Sequence, residues 1–332
     1  MVPPLQQRPA AGEPPQGGSQ SVGKRSPTSG RASPNEMGAL NPQDLVRVGW
    51  QYLCPTRLLS AFMFRLMRLP LGPVKRWQIR WFLRRFRVDM DAAAQPDIDA
   101  YPTFNSFFTR ALRPETRPIA TGPNAVASPV DGEISQLGDL DGDRLLQAKG
   151  KEYSLQGLLG VEPSACGPLV GGKFFTAYLH PRDYHRVHMP IAGRLRQMVY
   201  VPGRLFSVNP HSTRLIPQLF TRNERVVCFF DTQAGPLAVV LVGALCVGHI
   251  DTVWAGNVAP RAPHQPAAWA YGAIGEGSIT LERGDELGRF NMGSTVILLL
   301  PAGNASWAAE LHPGRRVRMG ERIGELTPRI AP

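Results

Sequence analysis

From about Tyr101 onward the chain is a succession of short apolar runs, each closed off by Gly, Pro, Asn or Asp. They are KFFTAYL (173–179), RVVCFFD (225–231), PLAVVLVG (236–243), HIDTVWAG (249–256) and STVILLL (294–300). Runs of this length, rich in β-branched and aromatic residues, form strands rather than helices. DTQAG (231–235), between two of them, has the composition of a hairpin loop, and GRRVRMGERIGEL (314–326) reads as a second hairpin around Met319-Gly320. YSLQGLLG (153–160) offers a helical turn or two. The longest apolar stretch, LAVVLVGALCV (237–247), is too short and too Gly-broken to span a bilayer, which takes about 20 residues. The expected class is therefore α+β, with N-terminal amphipathic helices followed by a strand-rich, mainly antiparallel body.

Three regions are expected. Residues 1–40 are dominated by Pro, Gly, Ser, Gln and Ala, carry too little apolar surface to order themselves, and read as a disordered tail. They lack the apolar core of a signal peptide, and prolines spoil GKRSPTSGRAS as a mitochondrial presequence. Residues 41–100 differ sharply. Between Asp44, the only acid, and Arg87 lie ten Lys and Arg residues interleaved with large apolar and aromatic ones. Pro55, Pro70 and Pro73 divide this stretch into two or three short helices. Leu58, Phe62, Arg65 and Leu69 recur at helical spacing, and Trp77, Trp81, Phe82 and Phe86 do the same in the next helix. Such a mixture fits a foot lying in the headgroup layer of an anionic membrane. Helices packed on their own domain are the plainer alternative. Nucleic acid is not an expected partner, because no recognition motif accompanies the charge. Residues 101–332 form the β-rich domain.

Reactive side chains gather in three places. ASPVDGEIS (127–135) sets Asp131 before a glycine, ordinarily a turn. YLHPRDYHRVHMP (178–190) packs His180, Asp183, Tyr184, His185 and His188 after an apolar strand. No H-E-x-x-H and no nearby cysteine accompanies these histidines, so no metal is expected. The four cysteines are scattered without a C-x-x-C pair, which argues against a disulfide framework. The third place is Gly293-Ser294-Thr295, at the head of STVILLL. Asp131, His188 and Ser294 occur in an order that serves nucleophile activation on another fold: a base takes the serine proton and a carboxylate orients the base.

Together with FNSFFTRALRPETRPI (104–119), YVPGRLFSVNP (200–210), RNERVVCFFDT (222–232) and DTVWAG (251–256), these segments closely resemble the phosphatidylserine decarboxylases of the bacterial and mitochondrial proenzyme branch. The resemblance runs from the helical foot to about Leu326. Met292 stands where the family usually has leucine, a volume-conserving change. The resemblance implies that Ser294, assisted by His188 and Asp131, cleaves the Gly293–Ser294 bond and becomes a covalent pyruvoyl cofactor. The two fragments, 1–293 and 294–332, would remain together as a heterodimer, with a homodimer left open. A Schiff base between the pyruvoyl group and phosphatidylserine would then release CO2 and yield phosphatidylethanolamine, with His185 as the proton donor. The expected location is peripheral, on the cytoplasmic face of the cell (inner) membrane. A pyruvoyl decarboxylase of a soluble amino acid and a membrane-associated serine hydrolase are the alternatives.

Overall fold

The computed structural model describes residues 42–327 apart from 149, 246–248, 259–264, 274, 276 and 292–293. The expected tail and Gly293 of the expected cleavage bond lie outside the described residues. Helix α1 (Pro42–Leu53) stops just before Pro55, and α2 (Thr56–Leu66) follows directly. In α3 (Gly72–Phe86) Pro73 sits in the first turn, where a missing N–H costs nothing. The aromatic residues of α3 do not share one face. Phe82 lies about 140° around the helix from Trp77 at 100° per residue, so Ile79 and Phe82 are buried while Trp77 and Trp81 remain exposed.

Phe82 packs edge-on against Phe104, Phe107 and Phe108 of α4 (Phe104–Phe108), with ring centroids 5.3 to 6.1 Å apart. A reciprocal Thr103–Ser106 capping box holds the start of α4. The opposite surface of the three N-terminal helices is left uncovered, with Leu53 89%, Leu58 71%, Phe62 61% and Trp77 67% exposed. No helix among the described residues is long and apolar enough to cross a membrane.

The apolar runs of the sequence form the middle of an antiparallel sheet. Its central strand, Ser294–Leu300, is buried at every position. It pairs on one side with Lys173–Leu179 and on the other with Gly235–Val242. Beyond these lie Gly132–Asp139 on one flank, and Arg225–Thr232 and Gly193–Val201 on the other. The 231–235 turn closes a hairpin as its composition implies. A smaller sheet joins Arg186–His188, Glu286–Phe290 and Ile250–Thr252. HIDTVWAG is strand only over Ile250–Thr252 and again at Gly256, where the chain turns back and Gly256–Asn257 pairs with Asp251–Thr252.

The 314–326 segment is not a hairpin. Gly320 does turn the chain, with φ of 86°. However, Arg316–Val317 pairs with Gly132–Glu133, whereas Arg322–Leu326 pairs with Ala125–Ala127 and Ala305–Trp307 in a separate sheet. The 128–131 loop inserts at this turn: the Gly320 N–H donates to the Ser128 carbonyl at 3.0 Å and the Met319 N–H to Asp131 at 2.8 Å. The turn is satisfied from outside, so its two arms need not meet.

One buried charge fixes the edge of this core. Arg225 is 2% exposed and donates to the carbonyls of Gly157, Leu158, Thr221 and Asn223 at 2.5 to 2.9 Å. Burial lowers its pKa to about 10, so it stays charged at neutral pH. Arg225→Met removes the charge but strands four carbonyls, and should destabilise the chain by about 3 kcal/mol or more. A urea midpoint unchanged from the parent would refute that role.

Candidate active site

The Asp131 loop is set by close backbone packing. A side chain on Gly132 would place its Cβ 2.7 Å from the Tyr178 carbonyl, so the Asp-Gly pair reflects a lack of room beside the neighbouring strand. Asp131 accepts two hydrogen bonds from Arg117, Nε to Oδ1 at 2.8 Å and Nη2 to Oδ2 at 2.5 Å, besides the Met319 N–H. It is thereby tied to the segment following Ser294 as well as to its own.

The histidine cluster begins with a turn that Asp183 organises. Its Oδ2 accepts the His180 N–H at 2.8 Å, and its Oδ1 accepts from Arg316 at 2.5 Å. This turn drives His185 fully into the protein, stacked on Phe108 with ring centroids 4.1 Å apart. Burial, and then the charge of Arg110, bring the His185 pKa down to about 3; the carbonyls of Pro181 and His180 offset this only in part. Neither ring nitrogen makes a hydrogen bond of good geometry, so a neutral imidazole sits largely unpartnered in the core.

His188 is oriented from both sides of its ring. Nδ1 lies 2.7 Å from the Gly284 carbonyl, which can only accept, so Nδ1 carries the proton. Nε2, 3.0 Å from the Tyr184 hydroxyl, therefore presents its lone pair to that donor. Gly284 can aim its carbonyl this way because its φ is 92°, a region other residues avoid. Burial lowers the His188 pKa, opposed by the Gly284 hydrogen bond and by Glu286. Burial also pushes the Tyr184 hydroxyl up to about 12, keeping it a donor. Among the described residues no hydrogen bond joins Asp131 to His188. The orienting acceptor expected of Asp131 is instead the Gly284 carbonyl, and Asp131 acts on the imidazole only through its field.

Ser294 heads the central strand, paired with Leu179, the residue just before the histidine turn. It is wholly buried and, among the described residues, its hydroxyl has no hydrogen-bond partner. Four residues earlier, the Phe290 N–H donates to the His185 carbonyl at 3.0 Å. Ser294 heads the central strand of the larger sheet and His188 ends a strand of the smaller one, with His185 just before that strand; among the described residues no hydrogen bond joins the Ser294 hydroxyl to either histidine. Among the described residues no group of three metal-ligating side chains gathers.

Tyr184, Gly284 and Arg117 complete the arrangement; sequence named Tyr184 in the histidine cluster without giving it a role, and singled out neither Gly284 nor Arg117. Tyr184 stands in the quoted cluster four residues before His188, a spacing that could have marked it. Gly284 acts through its backbone from 96 residues away, and nothing in its type signals the contact.

The family model described as Phosphatidylserine decarboxylase matches residues 104–325, and one described as PSD matches residues 46–87. The chain is 54% identical over 277 residues to the phosphatidylserine decarboxylase proenzyme of Nitrosococcus oceani, covering 83% of this chain and 90% of that protein. It is 49% identical to that of Marinobacter nauticus, over 83% of this chain and 96% of the relative. With that of Ectopseudomonas mendocina the identity is 50%, over 82% and 96%.

Burial of neutral His185 predicts acid sensitivity. Its folded pKa lies below the unfolded value of 6.5, so below that pH the unfolded chain takes a proton the native state refuses. The native state is unpenalised above pH 6.5 and loses about 1.4 kcal/mol per pH unit from there down toward pH 3. His188 and His249 add in the same sense. His185→Phe should flatten the fall by that one increment in urea titrations between pH 6 and 4. Parallel curves for parent and variant would contradict a buried neutral His185.

Proposed function

The chain belongs to the phosphatidylserine decarboxylase family, and from that premise we propose that Ser294 cuts its own chain at Gly293 and is converted to the pyruvoyl group the reaction uses. One observation carries this reading: the Ser294 hydroxyl is buried and unpartnered. Leaving such a group unpaired costs about 1–3 kcal/mol, a cost that makes sense if the hydroxyl is a reagent. A serine hydrolase must open its nucleophile to external substrate, whereas this hydroxyl has its own backbone within reach. The burial therefore favours self-processing over the hydrolase alternative.

Ser294 Oγ attacks the Gly293 carbonyl and its proton passes to a base. The C–N bond breaks, leaving an ester between Gly293 and Ser294 Oγ and a free amine on residue 294. Loss of the Cα proton expels the Gly293 carboxylate and leaves dehydroalanine. Tautomerisation and attack by water release ammonia. His188 is the base: its Nε2 lone pair exchanges the Tyr184 hydroxyl for Ser294, while Gly284 fixes the tautomer. Asp131 stabilises the imidazolium electrostatically and joins the fragments through Met319.

The pyruvoyl group supplies a ketone that takes up the substrate's amine and draws off electrons as CO2 departs. The buried, unpartnered hydroxyl of Ser294 fits it. The resemblance points to His185 as the group that returns a proton to the substrate's α-carbon, a role that requires the neutral imidazole to take up that proton once substrate is bound. The fragments 1–293 and 294–332 stay together because three strands of the smaller, Ser294–Leu300, Arg316–Val317 and Arg322–Leu326, pair with the larger. The exposed apolar face of α1 to α3, flanked by Arg76, Arg80, Arg84 and Arg85, lies peripherally on the cytoplasmic face of the inner membrane. A soluble amino acid as substrate would leave that face unused.

Intact-mass measurement of active protein should give two fragments, the smaller lacking a free N-terminal amine; one full-length chain would refute the pyruvoyl reading. Ser294→Ala should remain uncut and inactive, and His188→Ala should slow cleavage about 100-fold or more. The double variant Phe62→Glu/Trp77→Glu should weaken partition onto anionic vesicles at least about tenfold, given the apolar area it removes. Unchanged sedimentation with vesicles would take the foot off the membrane.

A further inference from the structure

Beside the Asp131 loop opens a cavity of about 450 Å³ lined by Arg87, Arg110, Arg117, Arg182, Arg316 and Arg318. Four carboxylates also face it, and three of them are already engaged. Asp131 holds Arg117 in a two-point pair, Asp183 holds Arg316, and Glu321 is shared with Arg315 from outside the cavity. The fourth, Asp89, accepts the Asp91 backbone N–H. The lining therefore keeps an excess of positive charge.

Arg110 stands apart from the other five. It is 4% exposed, yet its Nε and one terminal nitrogen have no hydrogen-bond partner, and the other terminal nitrogen reaches only the Arg182 carbonyl, at 3.5 Å. Its guanidinium lies 5.5 Å from the Phe107 ring centroid, and burial lowers its pKa. The contrast with Arg225 is direct: that buried arginine satisfies its donors on four carbonyls, whereas Arg110, a lining residue of the cavity, leaves Nε and one terminal nitrogen unpaired and shut away from solvent. A buried guanidinium in this state is costly unless an anion completes it. Arg87 adds a second sign. It ends α3 in the left-handed region, with φ of 54°, where glycine would be relaxed and any other residue is strained by about 1 kcal/mol or more. An arginine is nonetheless held there with its side chain on the same cavity.

We propose that this cavity is an anion subsite for the phosphodiester of a glycerophospholipid headgroup, with Arg110 as its specificity-determining donor. The proposal rests on the decarboxylase reading above for its choice of anion. The carboxylate that leaves as CO2 is a poor occupant, because an arginine on it would stabilise the ground state against loss of its charge. The phosphodiester keeps its charge throughout, so binding it holds the substrate without opposing the chemistry. A planar two-point donor matches its oxygens. The position also suits a headgroup. The lining includes both Arg87, at the end of the foot, and Tyr184, the partner of His188.

The test uses the full Ser294→Ala chain, so that binding is read without cleavage or turnover. Calorimetry would compare glycerophosphoserine, glycerophosphoethanolamine, inorganic phosphate and free serine. Both phosphodiesters should bind and displace one another, with serine at least tenfold weaker. Arg110→Met should weaken the phosphodiesters at least tenfold and leave serine unchanged. Should Arg110→Met fail to fold, Arg182→Ala, at an exposed position, should weaken them at least threefold. In the self-processed enzyme Arg110→Lys should raise KM for dispersed phosphatidylserine at least tenfold while kcat stays within threefold. Equal binding of serine and the phosphodiesters, binding of inorganic phosphate alone, or affinities unmoved by both substitutions would overturn the proposal. Failure of the parent chain to cleave or release CO2 would sink the function above, while the calorimetry would still decide the subsite.

Discussion

The ladder on both sides of Ser294–Leu300 is the constraint on which the rest depends. Lys173–Leu179 and Gly235–Val242 hold its backbone, and every residue along it is buried. Five of the seven are Val, Ile or Leu, each worth about 1.5–3 kcal/mol when fully buried. A strand held this way does not need a covalent link at its N-terminal end. A break just before Ser294 would leave every pairing of this strand in place. The proposed cleavage position is thus one where a tightly held strand can be cut from its predecessor with little loss.

Polar satisfaction differs among the buried groups. Arg225 and Asn223 complete their hydrogen bonds on backbone carbonyls and amides. His185, Ser294 and Arg110, equally buried, leave donors or acceptors open among the described residues. Tyr153, Thr176 and Thr295 also leave hydroxyls unpaired, so an open group points to chemistry or a ligand only where residue type and position add to it. His188 falls between the two classes, since its hydrogen bonds are complete but one of them, to Tyr184, is exchangeable.

Much of this was legible in sequence, for identifiable reasons. KFFTAYL, PLAVVLVG and STVILLL are apolar on both faces, and only the middle of a covered sheet suits such runs. Asp131, His185, His188 and Ser294 announced themselves by residue type and clustering. The reading went astray wherever a partner lies far along the chain. The arms of 314–326 have hairpin composition, but the 128–131 loop occupies their turn and sends them to different sheets. Asp131 has the residue type of an orienting carboxylate, yet a glycine carbonyl with no side-chain signature took that position. Arg110 sits unremarked within FNSFFTRALRPETRPI, since only burial distinguishes it from its neighbours.

The same long-range logic bears on the foot, which composition alone would treat as an attachable anchor. The Phe64 ring of α2 lies tilted against His249 with ring centroids 3.5 Å apart, and the Arg68 guanidinium lies over Phe64, 3.5 Å from its centroid. The His249 carbonyl accepts from the side chain of Asn291 at 3.0 Å, and Asn291 is also bound to Asp251 and to Asn105 of α4. Asn291 lies three residues before Ser294 in the chain. Helices that face outward with tryptophan and arginine are therefore linked, through one histidine and one asparagine, to the chain just before the central strand. That link is made by side chains, whereas the central strand itself is held by backbone pairing on both sides.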